Sequence, residues 1–272
     1  MNKQRGTFFI YAIVISSILI SGCHATAPSI DERRGFKSKT RMTRAEQIAQ
    51  ELIHTGLKPA YPSDATCPEV SSFFGDRTRY DGSLRTLRSN NGYHGGMDIS
   101  LPAGTPLVAI ADGTVIQTAR GGRLVGIKIA LQHSPEDTGL PVWIYSKYQH
   151  LDEFPGLKVG DRVKMGDMIG LSGRTGTVGS HYGSSGYPHL HLNIYMSKSK
   201  NYQINESDQI LRLENRKYLD PLSVYYGKEL DSHAIKALPE KEKILSIPFM
   251  TTDGLVTPLQ TKFIWPVLCN PQ

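Results

Sequence analysis

The stretch that says most about the fold is residues 188–195, Pro-His-Leu-His-Leu-Asn-Ile-Tyr. Apolar and polar side chains alternate from Leu190 to Tyr195, which predicts a β-strand with one buried face. Side chains two residues apart in a strand point to the same face of its sheet. His189 and His191 therefore project together, and Leu190 turns to the opposite side.

A second polar motif lies earlier in the chain and reads His94-Gly95-Gly96-Met97-Asp98. His94 and Asp98 are four residues apart, so they share a face if the segment is extended. The two glycines remove side-chain bulk and let a substrate or a neighbouring strand approach closely. Two imidazoles and one carboxylate suit Zn²⁺, which in catalytic sites has three protein ligands and an open position for water. We therefore expect one zinc ion per chain.

The chain between Tyr61 and Tyr226 consists of short apolar runs that glycine, proline, aspartate and asparagine separate. Such runs are typical of strands that tight turns connect. Besides the strand over 190–195, strands are predicted over 106–111, 113–118, 126–131 and 142–148. The prediction for residues 61–226 is therefore a mainly β domain with an antiparallel sheet.

The composition narrows the class of protein. Of the 272 residues, 39% are hydrophobic, which is too few for a protein with several membrane spans. The balance of 31 Lys and Arg against 25 Asp and Glu is too even for a wholly disordered chain. The formal net charge of +6 is mild and does not by itself indicate nucleic-acid binding. We expect no nucleic-acid partner.

Residues 1–22 have the features of an export signal. Lys3 and Arg5 precede an uncharged apolar run that is shorter than the about 20 residues needed to span a bilayer as a helix. Small residues end this run, and the stretch 20–23, Ile-Ser-Gly-Cys, resembles a bacterial lipobox. The resemblance implies cleavage before Cys23 and a diacylglycerol on its thiol, which would anchor the protein to a membrane. An ordinary cleaved signal or a short membrane anchor is the alternative.

Residues 23–60 predict a lipid-anchored tether followed by a short helix. The tether is rich in small and charged residues, and a capping box at 43–46 then begins a helix predicted over 44–55. The residue directly after Cys23 is His24 and not an aspartate. In an organism with two membranes, such a signal resembles those sorted to the outer membrane, so we expect the protein there to face the periplasm.

Two cysteines remain once Cys23 is set aside, namely Cys67 and Cys269. Two leftover thiols in an exported protein often pair, so a disulfide is one prediction and two free buried thiols are the other. The bridge would order the C-terminal extension, residues 227–272. Without it, the prolines of this extension predict an irregular tail that is largely mobile.

A series of short stretches occurs here in an order that is known from one family. The stretches are Phe74-Gly75, 94–99, 103–106, 111–115, Tyr148-Gln149-His150-Leu151, 159–163, 169–173, Thr175-Gly176, 188–191 and Asp220-Pro221. Over about residues 70–226 the chain resembles the M23 family of zinc metallopeptidases, the lysostaphin/LytM-type peptidoglycan endopeptidases. The resemblance implies an antiparallel sheet with a groove that holds zinc.

The resemblance also implies roles for five polar residues. His94, Asp98 and His191 match the positions that hold the zinc ion. His150 and His189 match two histidines that assist the bound water and stabilise the tetrahedral intermediate. Which of these two is the base stays open. The implied substrates are peptide cross-links of peptidoglycan.

The sequence departs from the family pattern at two places. The family often has Phe-Glu after the last histidine, whereas Leu192 and Asn193 stand here, so a carboxylate near the ligands is lost. The loop 177–187 is also longer than the family minimum. It either lines the groove and shapes substrate choice or is a flexible insertion.

The other histidines and a basic cluster are predicted to have no catalytic role. Of the remaining histidines, which are His24, His54, His133, His181 and His233, only His181 in the long loop is expected to have any part in the site. His133 is predicted to be a surface or turn residue. The basic cluster is predicted to be a solvated loop, with contact to acidic wall polymer as the alternative; it consists of Arg77, Arg79, Arg85 and Arg88.

Two functions follow from these observations. The first is a zinc endopeptidase that cuts peptidoglycan cross-links with metal-activated water. The second is a non-enzymatic or autoinhibited envelope regulator, of the kind that activates cell-wall amidases. Family members of that kind lack metal ligands, and none of the ligands is missing here, so the enzyme is favoured. In an autoinhibited form, the tail or the N-terminal helix would hold an intact site closed.

Overall fold

The structure is a computed structural model that describes residues 42–87, 90–177, 186–207, 209–227 and 230–272. The predicted signal, Cys23 and His24 lie outside these residues, and so does His181. No helix within the described ranges is both long and apolar enough to cross a membrane.

The first helix, α1, covers Arg44–Ala49. Its N-terminus has the predicted capping box, because the Thr43 hydroxyl accepts from the Glu46 N–H and the Glu46 carboxylate accepts from the Thr43 N–H. The longer helix expected from the sequence is wrong at its C-terminal end. Glu51 adopts a left-handed φ of 66°, and the chain then turns so that Leu52 is buried in the core.

Eight strands form the main sheet. In chain order they are β1 Val70–Ser72, β2 Met97–Ser100, β3 Gly113–Arg120, β4 Ile127–His133, β5 Trp143–Leu151, β6 Arg162–Val163, β7 His189–Ser197 and β8 Lys217–Leu219. The order across the sheet is β1-β2-β7-β5-β4-β3-β6, and β8 pairs with the second half of β7. These pairings are antiparallel throughout.

The remaining elements are short and lie before, between or after the strands of the main sheet. The other helices are α2 Pro135–Thr138, α3 Ser223–Tyr226 and α4 Ser232–Ala237, with 3₁₀ turns at Asn90–Gly92 and Glu240–Glu242. Five two-stranded pairs complete the fold: Lys58–Ala60 with Ile244–Ser246, Ala65–Thr66 with Asn270–Pro271, Pro106–Val108 with Met168–Leu171, Tyr202–Asn205 with Ile210–Leu213, and Phe249–Met250 with Val256–Thr257. All five strands predicted from sequence are present with shifted ends, so the mainly β, antiparallel prediction is confirmed.

The side chains of β7 alternate between the two faces of the main sheet. Leu190, Leu192 and Ile194 are fully buried in the larger apolar cluster of the protein. The alternate residues of β7 point to the opposite face. Tyr195 on that face packs in a second, smaller cluster. The alternation that predicts the strand therefore also places its polar side chains together on one side.

The C-terminal extension is ordered and packs into the larger cluster. Cys67 and Cys269 form a disulfide bond with sulfur atoms 2.00 Å apart. Trp265 is fully buried, and its indole N–H donates to the Pro68 carbonyl at 2.9 Å. A bridge between residues 202 positions apart stabilises a fold by roughly 2–5 kcal/mol. Residues 227–272 are therefore part of what holds the domain together.

His133 is not the surface or turn residue that the sequence suggests. Its side chain is fully buried at the end of β4, where Nδ1 lies 2.7 Å from the Asp112 carbonyl and Nε2 lies 2.8 Å from the Ser146 hydroxyl. A carbonyl can only accept, so Nδ1 carries the hydrogen and Nε2 accepts from Ser146. Burial lowers the pKa of His133 to about 4. This histidine is a neutral structural residue.

Gly96 brings β2 close to β7. A Cβ atom at this position would lie 2.3 Å from the Leu192 carbonyl oxygen, which belongs to the neighbouring strand. Such a contact is too short for any side chain, and the obstructing atom is backbone. Of the two reasons for glycine that the sequence allows here, the close approach of a strand is the one that the structure shows.

We predict that Gly96→Ala lowers the free energy of unfolding by about 2 kcal/mol or more, because the added methyl group forces β2 away from β7. Urea unfolding of the two purified proteins measures this difference. Gly122→Ala is the matched control, since a Cβ there would meet no atom within 4 Å. Equal losses in the two variants would show that the close approach at Gly96 does not constrain the sheet.

Candidate metal centre

Three donor atoms converge where β2 meets β7. His191 Nδ1 lies 2.7 Å from Asp98 Oδ1, and His94 Nε2 lies 3.1 Å from the same oxygen. The two imidazole nitrogens are 3.0 Å apart. The strand register causes this, because Asp98 on β2 is the direct cross-strand partner of His191 on β7. We call these three residues the His-Asp-His cluster.

Surrounding groups orient the members of the His-Asp-His cluster. His94 Nδ1 lies 2.9 Å from the Phe73 carbonyl, so Nδ1 donates and the Nε2 lone pair faces the other two donors. Arg85 binds the second oxygen of Asp98 at 3.0 Å and the Ser72 hydroxyl at 2.7 Å. Such outer contacts fix the tautomer and orientation of a metal ligand.

Arg85 is a site residue that the sequence analysis missed. The sequence predicts that it lies in a solvated basic loop, yet its side chain is 17% exposed and forms an ion pair with Asp98, whose side chain is 3% exposed. Arg77 is exposed and remains consistent with that loop assignment, whereas Arg79 lines the cleft beside the cluster and donates to the Leu84 carbonyl. Arg88 lies outside the described residues. Nothing in the local sequence distinguishes Arg85 from its neighbours, because the contact depends on how the loop folds back over β2.

His150 and His189 lie beside the His-Asp-His cluster. Their ring centres are 4.5 Å apart, and His189 Nε2 is 3.7 Å from Asp98 Oδ1. His150 Nδ1 lies 2.8 Å from the Thr175 carbonyl, and His189 Nδ1 lies 3.1 Å from the Tyr187 carbonyl. In each ring Nδ1 therefore donates to a carbonyl, and Nε2 keeps its lone pair.

The backbone at His150 is unusual for a strand. Its φ of 66° is left-handed, a region that residues other than glycine seldom adopt. The register between β4 and β5 shifts here, since Ile127 pairs with Leu151 and Lys128 with Gln149, which leaves His150 as the extra residue of a bulge. Its ring centre lies 5.9 Å from that of His191. Backbone strain of this kind costs about 1–3 kcal/mol and is concentrated at functional sites.

Burial opposes protonation of three imidazoles in the site, those of His150, His189 and His191. It lowers the pKa of His191 to about 4, although Asp98 acts in the opposite direction. Burial also holds the pKa of His150 well below its ordinary value, and it lowers the pKa of His189. For Asp98, burial alone would raise the pKa, but the surrounding histidines outweigh it and hold the pKa well below the ordinary value. The site therefore offers imidazole lone pairs and one carboxylate at neutral pH.

The donor set of the cluster fits a zinc ion. Two imidazole nitrogens and one carboxylate oxygen match the protein ligands of catalytic zinc sites. The three atoms are mutually within 3.1 Å, so one ion can touch all of them. The other ring nitrogen of His94 and the other oxygen of Asp98 already have partners in the protein.

An open cleft of about 410 Å³ contains the cluster and both neighbouring histidines. Thr177 and Tyr187, the two ends of the long loop, line it, and the Tyr187 ring stacks on His189 with centres 4.2 Å apart. Residues 178–185 of that loop lie outside the described residues. Within the described part of the chain, no residue of 227–272 lines this cleft.

Asn193 stands where the family pattern often has an acid, and its side chain hydrogen-bonds to two neighbouring segments of the cleft. Its amide donates to the Gly95 carbonyl at 2.8 Å, and its oxygen accepts from the Gln149 side chain at 2.9 Å. These bonds link β7 to the glycine segment before β2 and to β5. Asn193 therefore has a structural task that an acidic side chain could not perform, because a carboxylate cannot donate to a carbonyl.

Known proteins resemble the part of the chain that forms this site. Residues 92–205 match the model of peptidase family M23. The glycyl-glycine endopeptidase ALE-1 of Staphylococcus capitis is 38% identical over 111 residues, which are 39% of this chain and 25% of the relative. The peptidoglycan DD-endopeptidase ShyA of Vibrio cholerae is 31% identical over 134 residues, 49% of this chain and 26% of the relative. The chain thus spans about a quarter of the length of these relatives.

A solved structure is similar over most of its own length. The catalytic domain of the antimicrobial peptidase lysostaphin from Staphylococcus simulans is 27% identical, with a TM-score of 0.40 over 57% of this chain and 90% of that domain. The family match covers His94, Asp98, His150, His189 and His191. The part of this chain that forms the His-Asp-His cluster is thus the part that matches the model of peptidase family M23, residues 92–205.

Proposed function

We propose that this protein is a zinc endopeptidase that hydrolyses peptide cross-links of bacterial peptidoglycan. The observation that carries the proposal is the convergence of the His-Asp-His cluster with His150 and His189 in one open cleft. The names of the relatives support the substrate class, since one is a glycyl-glycine endopeptidase and another is a peptidoglycan DD-endopeptidase.

In this proposal the His-Asp-His cluster binds the metal, and His150 and His189 transfer protons and stabilise charge. Zn²⁺ held by the cluster would supply a Lewis acid that polarises the peptide carbonyl and activates water. His150 and His189 act through Nε2, since Nδ1 of each ring is already bound to a carbonyl. One Nε2 accepts a proton from the attacking water, and the other ring, once it is protonated to the imidazolium, donates its Nε2–H to the negative charge that develops on the carbonyl oxygen.

The alternative of a non-enzymatic or autoinhibited regulator has less support. All five polar residues are present and lie together. The C-terminal extension packs around Trp265 and the disulfide, and in the described residues it contributes nothing to the cleft. Removing residues 227–272 would delete part of the core, so activation by truncation is not expected.

We predict that the purified protein binds one zinc ion and releases fragments from cross-linked peptidoglycan. His94→Ala should lose both properties, because a metal ligand is gone. His150→Ala should keep its zinc and lose roughly 10²–10⁴-fold in rate, which is the usual contribution of a general acid or base. Metal analysis and mass spectrometry of the digests measure these effects, with glycine-bridged and directly cross-linked peptidoglycan as substrates.

His233→Ala is the matched control, since this exposed histidine lies in α4 of the extension. It should retain zinc and full activity. A wild-type protein that is loaded with zinc but leaves both substrates intact would contradict the proposed function.

We further propose that the mature protein begins at Cys23 and is held at the cell envelope by a lipid on its thiol, facing the periplasm where there are two membranes. The basic start, the apolar run and the small residues before Cys23 support this proposal. The disulfide also supports it, because such bonds persist in oxidising compartments. Mass spectrometry of the N-terminal peptide from membranes is the check, and an unmodified Cys23 would contradict it.

A further inference from the structure

The cleft contains more positive than negative side chains. Among the described residues that line it, Asp98 is the single carboxylate, and four side chains are cationic. These four are Arg79, Arg85, Lys147 and Arg216. Arg85 is accounted for, because it binds Asp98. Lys147 and Arg216 have no role in the site as described so far.

The strand register places Lys147 next to the proposed reaction centre. Gln149 on β5 is opposite His191 on β7, and Lys147 is opposite Asn193, two residues further along both strands. Cross-strand partners project from the same face of an antiparallel sheet. Two residues in a strand span about 7 Å. The ammonium of Lys147 therefore belongs to the floor of the cleft, one side-chain row from the cluster.

Neither cation has an anionic partner in the part of the chain that the structure describes. Lys147 Nζ lies 5.5 Å from the centre of the Tyr195 ring. The Arg216 guanidinium lies 5.3 Å from that ring and 5.0 Å from the Tyr218 ring, and it donates to the Gln50 side-chain oxygen at 3.1 Å. Both side chains therefore border the Tyr195 ring, and neither has a carboxylate partner among the described residues.

The residue opposite Lys147 cannot neutralise it. Asn193 is uncharged, and its amide is engaged with Gly95 on one side and Gln149 on the other. Burial, followed by the charge of Arg216, lowers the pKa of Lys147 to about 7. The Lys147 side chain is half-buried, and an ammonium that is partly removed from water without a carboxylate partner lowers the stability of the fold.

We propose that Lys147, together with Arg216, forms a subsite that binds a carboxylate of the peptide substrate within about two residues of the bond that is cut. This inference rests on the proposed function, because it identifies the class of peptide that the same cleft takes. Stem peptides of peptidoglycan carry free carboxylates, whereas a bridge made only of glycine carries none. The subsite therefore favours cross-links with an acidic group close to the scissile bond.

The experiment compares one substrate in two charge states. Cross-linked disaccharide-peptide dimers are used with their natural carboxylates and after conversion of these groups to carboxamides. Turnover is measured with the zinc-loaded wild-type protein and with the Lys147→Met and Arg216→Gln variants. Binding is measured separately by calorimetry with zinc-loaded His150→Ala protein, with and without Lys147→Met. Lys164→Met is the charge-matched control, since Lys164 is 75% exposed and pairs with Asp112 away from the cleft.

We expect wild type to prefer the carboxylate form by about tenfold or more in kcat/KM, the size expected for one charge-assisted hydrogen bond. Lys147→Met should reduce this preference to about threefold or less, mainly through KM, and Arg216→Gln should reduce it in part. Lys164→Met should keep the wild-type preference. The calorimetric affinities should follow the same order.

Two results would overturn the subsite. One is equal handling of the two substrates by wild type, and the other is an unchanged preference in Lys147→Met. A different result separates the proposed function from the subsite. If zinc-loaded wild type cuts neither dimer but the binding preference and its loss in Lys147→Met remain, the peptidase proposal fails and the carboxylate subsite stands.

Discussion

The pairing of β7 with β2 on one side and β5 on the other is the constraint on which the site depends. In this register His191 lies opposite both Asp98 and Gln149. A slip of one residue would turn both histidines of β7 into the apolar core. The burial of Leu190 and the two apolar residues that alternate after it opposes such a slip, at about 1.5–3 kcal/mol for each side chain. Core packing thus positions the polar face.

The same alternation explains how much could be predicted from the sequence. A period of two residues is a local property, so the strand and the shared face of His189 and His191 follow from composition and spacing alone. The glycine segment before Asp98 requires close packing, which is also visible locally. The joining of these two segments follows from the zinc donor set that they supply together and from the family resemblance, and the strand register of the structure places their side chains together.

Features that depend on distant contacts could not be predicted in this way. The end of α1 follows from a turn at Glu51 and the burial of Leu52, which tertiary packing decides. His133 is enclosed because its ring bridges Asp112 and Ser146 from two other segments. Arg85 reaches Asp98 only because its loop folds back over β2. In each case the sequence shows a residue type, and the partner lies far away in the chain.

The larger apolar cluster and the polar site are located on different faces of the sheet. The disulfide-linked extension with Trp265 packs on the apolar face, so it can hold the domain together without entering the cleft. The opposite face accumulates imidazoles, one carboxylate and cations such as Lys147. Buried polar groups in the cleft lower the free energy of unfolding. Apolar packing on the opposite face offsets this loss.

The central claim is that one zinc ion joins β2 to β7 through the His-Asp-His cluster. Anomalous diffraction at the zinc absorption edge, from crystals of the zinc-loaded protein, tests it most directly. The account predicts one strong peak bonded to His94 Nε2, Asp98 Oδ1 and His191 Nδ1, with the Nε2 atoms of His150 and His189 facing the remaining side. No peak at this position, or a peak with a different set of protein ligands, would contradict it.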